Sequence, residues 1–315
     1  MPTLYGAIEY AAHMAKIIVI GSSNTDMVVK TSRFPEPGET ILGGDFFMFP
    51  GGKGANQAVA AARAGGEVRF VCAVGDDVFG QNALKGYRDE GIAIDSALVL
   101  NGKASGVALI TVNGEGENEI VVASGTNALL SADYVSKVVE NRGDASMFLT
   151  QLETPIATIA YLAQYCRNTN RSLIINPAPA QELSDVILDG LFLVTPNETE
   201  AKILTGVAIE DDASMERAAQ SLLNKGVQHV IITLGSRGAF FMDHKEKFLV
   251  ASNKVKAMDT TAAGDVFNGV LTVCLSQEMG WQESIAYANK AAALSVTKMG
   301  AQGSAPFKEE INKFN

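Results

Sequence analysis

Only three cysteines, three histidines and one tryptophan occur in the 315 residues. Cys72, Cys166 and Cys274 lie far apart with no C-x-x-C pair, which argues against a disulfide framework or a zinc site and fits a reducing cytoplasm. His13, His229 and His244 match no metal-ligand spacing and are assigned to surface or core. No apolar run approaches the ~20 residues of a membrane span. No run of Lys or Arg offsets the net charge of −10, so neither a nucleic acid nor a membrane is expected as a partner. G-x-S-x-G and H-E-x-x-H are missing, as are internal repeats, low-complexity tracts and linkers. Residues 1–13 lack the long apolar core of a signal peptide and precede a second methionine, Met14, so they are expected to be an N-terminal extension or an alternative start.

What is present is the composition of a globular protein, 47% hydrophobic and 19% charged, long enough for one large α/β domain or two smaller ones. Residues 16–21 (KIIVIG) form a continuous apolar run, as in a strand buried on both faces of a parallel sheet. Similar runs recur at 68–74, 147–152, 172–175, 191–194 and 230–234. Helical patterns lie between most of them, at 55–64, 79–90, 155–167, 198–204 and 214–224. This alternation predicts an α/β fold, a mostly parallel central sheet with helices on both faces and ligands at the carboxyl ends of its strands. Two segments, about 26–49 and 104–124, break the alternation and carry period-2 patterns such as VALITV at 107–112. They predict a small antiparallel β lid standing off the main sheet.

Residues 259–269 (DTTAAGDVFNG) read as a turn of small residues opening onto a helix with an apolar face of Val266, Phe267, Val270, Val273 and Cys274. Ala262, Ala263 and Gly264 leave backbone N–H groups open at the helix start, where the peptide dipoles favour an anion such as phosphate. Asp265, beside the first turn, can take the proton of an attacking hydroxyl. A carboxylate that simply complements the helix N-terminus is the alternative.

Residues 49–57 (FPGGKGANQ) match neither a Walker A loop nor a dinucleotide fingerprint. Gly52 and Gly54 let backbone approach a ligand closely, with Lys53 and Asn56 as donors. After the first strand, Asn24 and Asp26 have the spacing that puts both side chains on one side, suited to neighbouring sugar hydroxyls, although a polar turn uses the same residues. Glu153 adds an acceptor at the same rim. Asn197 and Glu200 form a capping-box pattern ended by Gly206, and the same two residues can face phosphate and a hydrated Mg2+. Thr233, Gly235, Ser236 and Gly238 make a glycine-bearing turn after another strand, suited to nucleotide phosphates or ribose.

With these residues in place, the chain from about 16 to 314 resembles the ribokinase-like sugar kinases. The segments 21–26, 51–57, 112–120 (VNGEGENEI), 176–180 (NPAPA), 195–201 (TPNETEA), 232–238 (ITLGSRG) and 259–269 occur in the family's order. The resemblance implies one kinase domain, 14–315, and ATP-dependent phosphorylation of D-ribose at its 5-hydroxyl. It implies that Asn24, Asp26, Gly52, Lys53, Gly54, Asn56 and Glu153 hold the sugar under Ala108, Ile110 and Val122 of the lid. Asp265 is then the base, with Ala262, Ala263 and Gly264 as the anion hole. ATP with Mg2+ falls to Asn197, Glu200, Thr233, Gly235, Ser236, Gly238 and Asn289, the last standing where several members carry a histidine near adenine. A monovalent cation, usually K+, is implied at Asp259, Thr261, Ser295, Lys298, Gly300 and Ser304, mostly through backbone oxygens. A homodimer through the lid is implied too. Kinases for another sugar or a nucleoside, and a non-catalytic sugar-binding regulator, are the alternatives.

Overall fold

A computed structural model describes residues 17–141 and 145–314. The expected extension at 1–13, Met14 and the first residue of the 16–21 run lie outside the described residues. The strands are β1 (Ile17–Ile20), β2 (Asn24–Lys30), β3 (Phe46–Gly51), β4 (Val68–Val71), β5 (Ala73–Gly75), β6 (Leu98–Leu100), β7 (Gly106–Val112), β8 (Asn118–Ala123), β9 (Met147–Thr150), β10 (Ser172–Ile175), β11 (Leu193–Val194), β12 (His229–Thr233), β13 (Ala239–Met242) and β14 (Lys247–Val250). The helices are α1 (Lys53–Arg63), α2 (Val78–Asp89), α3 (Ala132–Asn141), α4 (Ile156–Asn168), α5 (Asp185–Leu188), α6 (Glu198–Thr205), α7 (Asp212–Asn224), α8 (Ala263–Ser276), α9 (Trp281–Ser295) and α10 (Lys308–Lys313).

The main sheet has the order β14-β13-β12-β11-β10-β9-β1-β4. It is parallel from β4 through β12 and antiparallel across β13 and β14. Every residue of β1 is buried because helices cover both faces. The pleat sends Ile18 and Ile20 into one core with Phe148, Leu162 and Leu222, and Ile17 and Val19 into the other with Phe70, Leu149 and Val270. Helix α8 is buried without interruption from Asp265 to Cys274, since it lies between α1 and α9 as well as over the sheet.

Some elements depart from the sequence expectation. The run 68–74 breaks at Cys72, whose carbonyl accepts Leu98 N–H at 2.8 Å, and β5 turns off to pair with β6. Helix α7 starts before residue 214 because Asp211 caps it, accepting Ser214 N–H at 2.7 Å. The hairpin β13–β14 and helix α9 were not read from the pattern. The lid has the order β3-β2-β7-β8: its outer pairs are antiparallel as expected, whereas the central pair β2–β7 is parallel. Both central strands rise from the same rim, with Asn24 opposite Gly106.

The crevice lies where β1 has β9 on one side and β4 on the other. The chain builds outward from this point in both directions, so the loops after β1 and β9 part there and leave room for a ligand.

Candidate active site

Asn24 and Asp26 lie two residues apart on β2, so the pleat points both to one side. Ala108, Ile110 and Val122 of the lid face them, and the turn into α1 adds Gly52, Lys53 and Asn56. With Glu153, these residues wall a cavity of about 870 Å3. Ile120, Ser124, Asn127, Thr154 and Gln181 are on the same wall and were not anticipated. Gly54 is not on it. A Cβ there would sit 2.6 Å from Gly21 C and Ser22 N, so the bare backbone serves the packing of α1 on the end of β1 rather than a ligand.

Asn127, 2% exposed, sets the orientation of Asn24. It accepts Ser23 N–H at 2.9 Å and donates to Ser23 O at 3.2 Å and to Asn24 Oδ1 at 2.7 Å. Its amide cannot be reversed without placing like groups together, and Asn24 is left to present its NH2 group. Helix α1 lacks a side-chain cap of its own because Gly52, at φ 89°, occupies the N-cap. Glu153 supplies one from outside the helix: it accepts Lys53 N–H at 3.0 Å and the Ser22 hydroxyl. Burial disfavours the Lys53 ammonium, but the surrounding carboxylates of Asp265, Glu153, Glu200 and Asp26 outweigh it and hold the pKa above its ordinary value.

Helix α8 follows Ala262, which adopts the left-handed φ of 59°. The turn divides two cavities: Thr261 and Ala262 face the first, while Thr260, Ala263 and Gly264 face a second of about 670 Å3. Asp265 opens into the first and is 6% exposed. Its Oδ2 accepts from Asn56 Nδ2 and its Oδ1 from Gln57 Nε2, both at 2.9 Å. Burial pushes this carboxyl above the ordinary carboxylate range, against the pull of Lys53 and the two amides.

The second cavity is walled by Asn197, Thr233, Gly235, Ser236, Gly238 and Asn289. The segment 252–255, Phe267 and the α9 residues Ala292 and Ala293 complete it. These additions carry no motif: Phe267, Ala292 and Ala293 lie on helix faces and read as core, while 252–255 (SNKV) is an irregular stretch that reads as a loop. Glu200 is not on this wall. Its Oε2 accepts Asn197 N–H at 2.8 Å, closing a capping box with Asn197, and it lies 8% exposed on the side of Lys53 and Asp265. Asn289 spends its NH2 on Val250 O at 3.0 Å.

Two adjoining cavities, parted by a helix-start turn with a buried carboxylate on one side, suit transfer of an anionic group from one ligand to another. The model of the pfkB family carbohydrate kinases matches residues 14–308. The chain belongs to this family. A ribokinase of Haemophilus influenzae is 41% identical over 298 residues, 95% of this chain and 97% of the relative. Among solved structures, the ribokinase of Thermotoga maritima is 37% identical with a TM-score of 0.87, over 95% of this chain and 99% of that one. Arabidopsis thaliana ribokinase complexed with ribose and ATP is 27% identical with a TM-score of 0.88, over 95% and 98%. The ribokinase-like α/β fold expected from the sequence is therefore the fold of this pfkB-family kinase.

In this carbohydrate kinase the segments expected to hold a monovalent cation are drawn together by Asp259, which accepts Thr261 N–H at 2.9 Å and Gly300 N–H at 2.8 Å. Ser295 O accepts Lys298 N–H at 3.1 Å, and the Ser304 hydroxyl donates to Ala301 O at 2.8 Å. Lys298 turns its ammonium to Glu310 at 2.7 Å, so only its backbone can serve an ion. Among the described residues no group of three or more His, Cys, Asp or Glu side chains is placed to hold a metal.

Proposed function

We propose that the chain transfers the γ-phosphoryl group of ATP to the 5-hydroxyl of D-ribose. The observation that carries this reading is the turn 261–264, set as the partition between the two cavities with Asp265 on one side. A phosphoryl group passing across that partition meets the N–H groups of the first turn of α8, which stabilise its charge, while Asp265 takes the hydroxyl proton. Asn24, Asp26, Gly52, Lys53, Asn56 and Glu153 hold the sugar, with Ala108, Ile110 and Val122 of the lid covering it. Among the described residues no aromatic side chain lines that cavity, which favours a small polyhydroxylated ring over a nucleoside. Asn197, Thr233, Gly235, Ser236, Gly238 and Asn289 serve ATP. Ribokinases are among the relatives found at high coverage, beside a deoxyribokinase, and one ribokinase was solved with ribose and ATP.

Mg2+ fits near Glu200, whose carboxylate keeps Oε1 outside the capping box. When bound with the phosphates it neutralises charge on the transferring group. K+ fits the Asp259, Thr261, Ser295, Lys298, Gly300 and Ser304 segments, which Asp259 ties together, and its charge orders the anion-hole turn. Turnover is accordingly expected to be higher in potassium than in sodium-only or cation-free buffer at matched ionic strength; equal rates in all three overturn the K+ assignment. The outer lid face carries exposed Phe46, Met48, Leu109 and Val121, a patch suited to a second copy of this chain. The buried, unpaired cysteines suit a reducing cytoplasm. An ADP-release assay across pentoses, 2-deoxyribose, hexoses and nucleosides tests the substrate: kcat/KM highest for D-ribose is expected, and a higher value for any other acceptor displaces it.

Asp26 gives the sugar site a pH dependence. Burial first, then the charges of Glu153 and Asp265, raise its pKa from 3.8 to about 6 despite Lys53. The folded chain therefore holds this proton between about pH 4 and 6 where the unfolded chain releases it, and this group alone makes stability fall as pH rises through that window. Ionised Asp26 accepts from two sugar hydroxyls, whereas the protonated form loses an acceptor position. Ribose affinity, measured calorimetrically, is expected to be flat above about pH 7 and to weaken below about 6, with the step removed in Asp26→Asn. A step of equal size in that variant assigns it elsewhere.

A further inference from the structure

Gln57 and Asn176 belong to sequence segments that resemble the family, yet neither lines either of the two cavities, and both are buried, at 0% and 6% exposure. They form part of a hydrogen-bonded chain whose polarity is fixed at both ends. Thr195 O, a backbone carbonyl at the end of β11, accepts from Asn176 Nδ2 at 3.4 Å. A carbonyl can only accept, so Asn176 must turn its Oδ1 the other way, where it accepts from Gln57 Nε2 at 3.0 Å. The same Gln57 NH2 group donates to Asp265 Oδ1 at 2.9 Å. Gln57 Oε1 is then left to accept from Gln151 Nε2 at 2.6 Å. Reversing the Gln57 amide would set its oxygen against two others and its NH2 against that of Gln151, so the arrangement has one orientation.

From Thr195 a second branch reaches the anion-hole turn. Thr195 Oγ1 donates to Asn268 Oδ1 at 2.6 Å, and Asn268 Nδ2 donates to Gly264 O at 2.8 Å. The carboxylate and the turn beside it are thus held by one buried network drawn from α1, α8 and the ends of β9, β10 and β11. We infer that Gln57 is a positioning residue for the phosphoryl transfer: its side-chain amide, oriented by Asn176 and Gln151, holds Asp265 in one rotamer and in its ionised form. The inference rests on the reading of Asp265 as the base. Donors on both oxygens favour the form that accepts, and Gln57 and Asn56 supply them from one turn of α1. The charged groups around Asp265 are Lys53 from α1, Asp26 from β2, Glu153 after β9 and Glu200 from α6. Lys53 is the one cation among these and makes no directed bond to Asp265 Oδ1, so the Gln57 donor is not duplicated.

The test is the pH profile of kcat at saturating ribose and ATP, which reports groups in the ternary complex. Gln57→Leu is expected to lower kcat at pH 7.5 by about 10-fold and to move the acid limb to higher pH by about one unit, with ribose KM within about twofold of wild type. Gln57→Glu, which keeps the shape and folds if the leucine variant does not, places a second carboxyl against Asp265 and is expected to move the limb further the same way. Acid limbs unmoved in both variants that fold overturn the inference, whatever happens to melting temperature. Asp265→Asn, run in parallel, separates the two claims: lost turnover there with unmoved limbs in the Gln57 variants leaves Asp265 as the base and removes Gln57, and retained turnover removes both.

Discussion

Asp265→Asn is expected to lower kcat by about 10²–10⁴-fold, the usual contribution of general-base assistance, while ribose and ATP still bind. The rival role for Asp265 is to cap α8, and the structure makes the two roles separable. The N-cap position is Ala262, and helix α8 has no side-chain cap. Both Asp265 oxygens are instead engaged by Asn56 and Gln57, on α1. The amide introduced by the substitution would turn its NH2 toward one of these donors. Asn56 can absorb that mismatch, because its Oδ1 has no partner and its amide can reverse to accept. Stability is therefore expected to fall by no more than about 1–2 kcal/mol, far less than a lost buried charge pair. Measuring kcat, ribose affinity and melting temperature on the one variant decides the matter. Turnover near wild type would return Asp265 to a structural role.

Lys53→Ala is expected to lower kcat/KM for ribose by roughly 10²-fold, the scale of losing one donor that stabilises charge in the transition state. Lys53 stands among Asp26, Glu153, Glu200 and Asp265, and its backbone N–H is already held by Glu153. Truncation leaves that backbone contact and the start of α1 in place, so circular dichroism should not change. What it removes is the positive charge that keeps neighbouring carboxyls ionised: Asp26 and Asp265 both have Lys53 as a lowering influence. Their pKa values rise without it, and the acid limb of the rate profile should move to higher pH. Unchanged kcat/KM with an unchanged acid limb would make Lys53 a solvated side chain in a turn.

Local spacing made much of the candidate site legible. Asn24 and Asp26 are two apart on a strand, Gly52 to Asn56 open one helix and Ala262 to Asp265 open another, and each group is short enough for backbone periodicity to place its members together. The alternation of apolar runs and helical patterns likewise specifies parallel strands with covered faces, because only a strand buried on both sides is apolar throughout. Gln57, Asn127, Asn176 and Gln151 were not legible, since a buried amide has the same sequence signature whether it closes a turn or orients a functional side chain. The parallel pairing of β2 with β7 was hidden for a related reason: strand direction within a lid is set by where its ends attach, and strand pattern is the same either way.

By itself, then, the sequence determined which short segments line the two cavities, the α/β layering and the presence of a small second sheet, all consequences of residue type at small separations. Tertiary structure decided who meets whom. Asn56 and Asp265 are separated by 209 residues in the chain, and Ser22 and Glu153 by 131. Those meetings follow from β1 lying between β9 and β4 and from α8 packing on α1, an order chosen by the summed burial of two cores rather than by any local pattern. The same packing moved Gly54 off the cavity wall, where helix α1 had to approach Gly21 more closely than a Cβ permits, and turned Glu200 toward Lys53 and Asp265 instead of the second cavity.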